Sequence, residues 1–133
     1  MNFFLSLFVA YLLLIVLDLM WFKLYSFKRI YKPQFEKLNN KTSFFLRKSS
    51  AFVTWFVMAL AIATLGSIID SNPSTKKSSI LKIMLGAWLG FTIYAVYNGT
   101  NYSTLEKYEF KTVVYDTLWG TFVFGVVTMI TNM

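Results

Sequence analysis

The sequence predicts an all-α integral membrane protein, one domain over residues 1–133 built as a bundle of four transmembrane helices. Three observations carry this expectation. Hydrophobic residues make up 56% of the chain and charged residues only 14%, against roughly 25% charged in soluble domains. The apolar residues fall into blocks, each near the roughly 20 residues that a helix needs to cross a bilayer core. The charges flank those blocks, so the net charge of +7 points to topology and anionic lipid headgroups rather than to nucleic acid.

The first span is expected over 3–22, with Asp18 its one charge. A signal peptide is the competing reading. The run is too long for one, nothing basic precedes it and no small-x-small cleavage site follows, so a retained helix is expected. A basic loop is expected over 23–48. It holds Lys23, Lys28, Arg29, Lys32, Lys37, Lys41, Arg47 and Lys48 against Glu36 alone, with Tyr25, Phe27, Tyr31 and Phe35 interleaved. Pro33 is expected to interrupt any continuous helix there, with a short interfacial helix before it. The second span, 49–69, has no charge. Asp70-Ser-Asn-Pro-Ser-Thr75 reads as a loop from its Pro and Asx/Ser turn chemistry. The third span, 79–97, carries Lys82 in its first turn, where it is expected to snorkel to the interface. A polar stretch, 98–109, leads into the fourth span, 110–130. Gly86 and Gly90 form a GxxxG that permits close helix approach, and Gly120 is a small residue for packing on span four. The pattern is also frequent by chance in membrane helices.

With four spans, loops 23–48 and 98–109 share a side. That side carries ten Lys/Arg, and the other has only Lys76, Lys77 and Lys82. The positive-inside rule then places both loops in the cytoplasm and both termini outside.

The chain has no cysteine and no histidine. Disulfides, thiolate metal sites, histidine-ligated haem and histidine acid–base catalysis are therefore excluded. No metal and no cofactor are expected. There is no phosphate loop, nucleophile elbow or potassium-filter sequence. Asn98-Gly-Thr100, Asn101-Tyr-Ser103 and Asn40-Lys-Thr42 match the glycosylation pattern, but the topology above turns them to the cytoplasm.

Two carboxylates lie inside apolar spans. Asp18 is five residues before Lys23, and Asp116 is five after Lys111, so each sits roughly 7–8 Å inside the same boundary. An aspartate there is costly and is normally buried with a partner. Both stand in a D-x-x-W pattern, Asp18 with Trp21 and Asp116 with Trp119. The i, i+3 spacing sets each Trp on the face of its own Asp, where an indole N–H could satisfy the carboxylate. The plainer reading makes both Trp residues interfacial belt aromatics. Tyr94, Asn98 and Asn101 share a face of span three if that helix continues, and Tyr11 and Tyr25 lie roughly on the face of Asp18. Together with Tyr97 these residues predict a polar cluster of Asp18, Trp21, Tyr94, Tyr97, Asn98, Asn101, Asp116 and Trp119 near the cytoplasmic side. Interhelical hydrogen bonding that merely holds the bundle together is the competing role. The basic loop reads first as a topology signal, and more sharply as a headgroup site through Lys28, Arg29, Lys32, Arg47 and Lys48.

The order D-x-x-W, then G-x-x-x-G-x-x-x-Y-x-x-Y-x-x-T-N-x-x-T-L, then D-x-x-W-G-T resembles the DUF2177 family of small predicted membrane proteins. The residues that carry it are Asp18 and Trp21; Gly86, Gly90, Tyr94, Tyr97, Thr100, Asn101, Thr104 and Leu105; and Asp116, Trp119, Gly120 and Thr121. The resemblance spans nearly the whole chain and is most specific in its second half. It departs at Asn98, where the family usually has Asp, at Tyr108, where Trp is common, and at Lys23, where Gly is. A shared activity that needs an acid at position 98 would be lost or altered here. The resemblance implies four spans and supplies no reaction.

Three functions follow as expectations. The first is a non-enzymatic membrane protein whose cluster binds or passes a small ligand, proton or lipid headgroup. The second is an intramembrane lipid-modifying enzyme or its accessory subunit, with Asp18 or Asp116 as acid–base groups. The third is a structural or partner-binding subunit. The expected partners are membrane lipids and a second copy or another membrane protein, and no nucleic acid.

Overall fold

A computed structural model describes residues 1–40 and 46–133. It contains α1 (Phe3–Trp21), a π-helical segment (Phe22–Tyr31), α2 (Lys32–Asn39), α3 (Lys48–Ser71), α4 (Pro73–Lys77), α5 (Ser79–Thr104) and α6 (Phe110–Thr131). Four helices are long and apolar enough to cross a membrane: Phe3–Asn39, Lys48–Ser71, Ser79–Thr104 and Phe110–Thr131. Their outer surface is apolar, with Phe4 80% and Trp88 68% exposed. A surface of this kind is stable only in lipid.

Local chemistry sets the helix starts. Asn2 accepts the Leu5 N–H at 2.9 Å, and Ser78 accepts that of Leu81 at 3.3 Å, so each satisfies an N–H that the first turn leaves unpaired. Asn72 does the same for the short α4, within the stretch expected to be a plain loop.

The loop expected over 23–48 is helical as far as Asn39. Pro33 does not interrupt it, because the proline falls in the first turn of α2, where a missing N–H is tolerated. The preceding turns adapt by widening: the Lys32 N–H bonds back to the Phe27 carbonyl, five residues earlier, the π-helical pattern. Pro33 cannot donate to the Arg29 carbonyl, and Lys111 Nζ from α6 takes that place at 3.2 Å. Of the non-helical remainder, Lys41 and the Thr42 of the Asn40 glycosylation pattern lie outside the described residues.

The third span also runs on past Tyr97, to Thr104. Lys82 is another departure. It is buried rather than snorkelling, and its Nζ donates to the Asn132 carbonyl at 2.5 Å. A cation there complements the C-terminal end of α6.

Helix α5 packs most extensively on α6, and α3 on α1, whereas α3 and α5 barely meet. The α5–α6 seam is built on glycine. A Cβ on Gly86 would lie 2.6 Å from the Phe124 carbonyl, and one on Gly90 2.3 Å from the Gly120 carbonyl. On the other side, Ala10 and Leu14 of α1, Ala59 and Ile62 of α3 and Val123, Phe124 and Val127 of α6 form the buried core. Lipid tails are as apolar as these side chains, so close packing and interhelical hydrogen bonds hold such a bundle rather than water exclusion.

Candidate functional site

The C-terminal end of α1, the π-helical segment, α2, the N-terminal ends of α3 and α6 and the C-terminal end of α5 converge at the basic end of the bundle. Asp18 and Asp116 lie there, and neither is satisfied by the Trp of its own motif. Asp18 Oδ1 accepts Trp119 Nε1 of α6 at 2.7 Å, and Oδ2 accepts Trp55 Nε1 of α3 at 2.7 Å. Asp116 Oδ1 accepts the Tyr31 hydroxyl at 2.5 Å, and Oδ2 accepts Asn98 Nδ2 of α5 at 2.7 Å. Trp21 Nε1 donates to that same Tyr31 hydroxyl at 3.4 Å.

The expectation of a same-helix Asp–Trp pair is thus corrected to a crossed one. Helices α1 and α6 run antiparallel, so a step forward on one matches a step back on the other. Setting Asp18 opposite Trp119 then sets Trp21 opposite Asp116. The first pair bonds directly and the second through Tyr31. The two indoles stack in parallel between them, with centroids 4.9 Å apart and planes 6° from parallel. Offset stacking of this kind adds to the fit.

Asn98 is fully buried and joins α5 to the cluster. Its Nδ2 also donates to the Tyr94 carbonyl at 2.9 Å, and its Oδ1 accepts the Tyr108 hydroxyl at 2.7 Å. Tyr108 lies in the connection between α5 and α6, and burial pushes its phenol up to about 12. Asn101 stands beside that phenol. Tyr94 packs edge-on against Phe124 and donates to the Met58 sulfur at 3.7 Å. Tyr97 is exposed. Of the two tyrosines placed roughly on the face of Asp18, Tyr11 bonds the Phe52 carbonyl at 3.5 Å, and Tyr25 stacks on Trp21.

Four contributors were not singled out from the sequence for the cluster. Tyr31 and Trp55 supply two of its donors. Tyr108 anchors Asn98. Gln34, buried on α2, donates to the Lys107 carbonyl at 3.0 Å and accepts the Glu109 N–H at 2.7 Å and the Thr112 hydroxyl at 2.9 Å. It thereby caps α6 from another helix, and Lys37 pairs with Glu109 beside it. Trp55 had a signal: an N–H-bearing ring in a span without charge needs an acceptor. Gln34 had none, since it lay in a stretch expected to be loop.

The proposed headgroup cations Lys28, Arg29, Lys32, Arg47 and Lys48 are all exposed at this end. The Arg29 guanidinium lies over the Tyr25 ring, 4.7 Å from its centroid, and Lys32 pairs with Glu36 at 3.9 Å.

The cluster is not a closed plug. A cavity of about 700 Å³ and an adjoining one of about 290 Å³ are both lined by Asp18, Tyr31, Trp55, Tyr94 and Asp116. The larger lies between α1–α2, α3 and α5, and its walls are mostly apolar. Among the described residues no Lys or Arg forms an ion pair with either carboxylate, and no group of three acids could hold a metal ion. A carboxylate offers about four lone-pair positions. Each of these uses two on protein donors, which leaves acceptor capacity beside the cavity.

The family described as "Predicted membrane protein (DUF2177)" matches residues 3–133, so the chain belongs to that family. No curated protein and no solved structure matches the chain.

Proposed function

For a member of this family of predicted membrane proteins, we propose a non-enzymatic binding role. The Asp18–Asp116 cluster receives the polar part of a small membrane-borne ligand or lipid headgroup, and the cavity holds the rest. One observation carries this reading: both intramembrane carboxylates border the same cavity of about 700 Å³, a volume within the range of ligand sites. On this reading the basic end faces the cytoplasm and both termini face the other way.

Ala51 lines both cavities, so Ala51→Trp obstructs the space beside the carboxylates without removing a hydrogen bond of the cluster. Native mass spectrometry of protein released from micelles is expected to show one amphiphile retained per wild-type chain and none on Ala51→Trp. Equal retention by both proteins, or by neither, would count against a binding cavity.

A second reading has an observation of its own. All four carboxylate oxygens accept a protein donor, which is also what a purely architectural cluster needs. In that case Ala51→Trp leaves amphiphile retention unchanged, while Asp116→Ala lowers stability.

A further inference from the structure

We infer that the cavity takes a membrane amphiphile with a positively charged nitrogen head, which enters sideways from the bilayer between α3 and α5. This rests on the binding role proposed above and adds the ligand's chemistry and its route.

The route follows from helix packing. Helices α3 and α5 barely meet, although each is anchored on a neighbour. The gap is walled by Val53 and Val57 of α3 and by Ile93 and Tyr97 of α5. Val53 is 62% and Val57 57% exposed. These side chains belong to spans that cross the bilayer, so the gap opens on acyl chains rather than on water. Its mostly apolar walls suit an alkyl tail.

The head follows from the cavity floor. Asp18 and Asp116 are held there by indole, phenol and amide donors, all of them neutral. Intramembrane carboxylates ordinarily face a cation or a pathway, and the described part of this chain supplies no cation to either. Arg47 does line the cavity. It stands at the N-terminal end of α3 and forms no ion pair with either carboxylate. The floor is also aromatic, through Trp55, Tyr94 and Tyr31. Rings beside carboxylates are the surroundings that bind alkylated ammonium groups, by cation–π attraction together with charge. At this floor an anionic or sugar head gains neither term.

The test uses two probes with the same twelve-carbon tail. Full-length protein in maltoside micelles is titrated with dodecyltrimethylammonium and separately with dodecyl sulfate, at concentrations below those that unfold it. Binding is read from Trp fluorescence and thermal stability. The cation is expected to saturate at a concentration at least tenfold below the sulfate. Asp18→Asn with Asp116→Asn is expected to weaken it tenfold or more, with the fold checked by circular dichroism. Equal binding of both probes by the wild type overturns the inference and needs no variant. If Ala51→Trp abolishes that equal binding, the cavity still binds amphiphiles and only the charge assignment fails. If neither probe binds the wild type, the binding role fails with it.

Discussion

Asp18 and Asp116 each accept two donors from helices other than their own, so each is a junction of three elements. Interhelical hydrogen bonds within membranes are worth on average about 0.6 and at most about 1.7 kcal/mol. A double-mutant cycle on Asp18→Ala and Trp119→Phe, read by reversible unfolding, is therefore expected to give a coupling of about 1 kcal/mol. Phe keeps an aromatic ring on Trp21 and removes the N–H together with part of the indole, a loss of packing that the cycle cancels. The same cycle on Asp18 and Trp21 is expected to give none, since Trp21 donates to Tyr31 instead. Coupling in the second cycle and not the first would restore the same-helix pairing. Tyr108 makes a separate prediction. Its phenol is raised to about 12, so the folded state keeps a proton that the unfolded state loses near pH 10. Its contribution is full below pH 10 and fades as pH rises through 12. Stability of the wild type should fall between pH 10 and 12 more steeply than that of Tyr108→Phe, and parallel curves would contradict this. At this scale the sequence exposed both aspartates, since charge inside an apolar run is conspicuous. It could not show which indole meets which carboxylate, because spacing along one helix is silent about the neighbouring helix.

Among the helices, the α5–α6 seam is the least tolerant of added volume. A Cβ on Gly90 meets backbone at 2.3 Å, whereas one on Gly99 of the same helix meets nothing within 4 Å. Gly90→Ala is expected to force the helices apart and to destabilise by about 1–3 kcal/mol. Gly99→Ala should be neutral or stabilising, up to about 1 kcal/mol, through helix propensity. Unfolding measured in parallel checks the pair, and equal effects would sink the packing assignment. Gly86, Gly90 and Gly120 were legible in the sequence as packing residues, while Phe124 and Thr128 as their partners were not. Over 23–48 the sequence predicts a loop with a short helix before Pro33, whereas the chain stays helical through Pro33 to Asn39, for a physical reason. A proline usually breaks a helix, but Pro33 sits in the first turn of α2, and Lys111 Nζ donates to the Arg29 carbonyl, one turn before it. That compensation comes from a residue 78 positions away in the chain, beyond the reach of local patterning.

Across the whole molecule, four spans were legible because length and hydropathy alone decide what crosses a bilayer. The cavity was not legible, since it exists only where α3 and α5 fail to meet. Sidedness rests on ten basic residues at one end against three at the other. The chain lacks cysteine, so single-cysteine variants report cleanly. In intact cells, Ser74→Cys is expected to react with a membrane-impermeant thiol reagent, and Ser103→Cys only after lysis. The reverse pattern would invert the topology without altering the site. On the inference above, an amphiphile from the bilayer reaches the carboxylates through the gap between α3 and α5. Solid-state NMR of the labelled protein in bilayers of a trimethylammonium-headed lipid tests it directly. Cross-peaks are expected from the headgroup methyl protons to the Asp116 carboxyl carbon and the Trp55 indole. Trp88, on the lipid-facing surface, should show contacts to acyl chains in either case. Contacts at Trp88 with none at Asp116 or Trp55 would rule out entry to the carboxylates and leave the cluster as architecture.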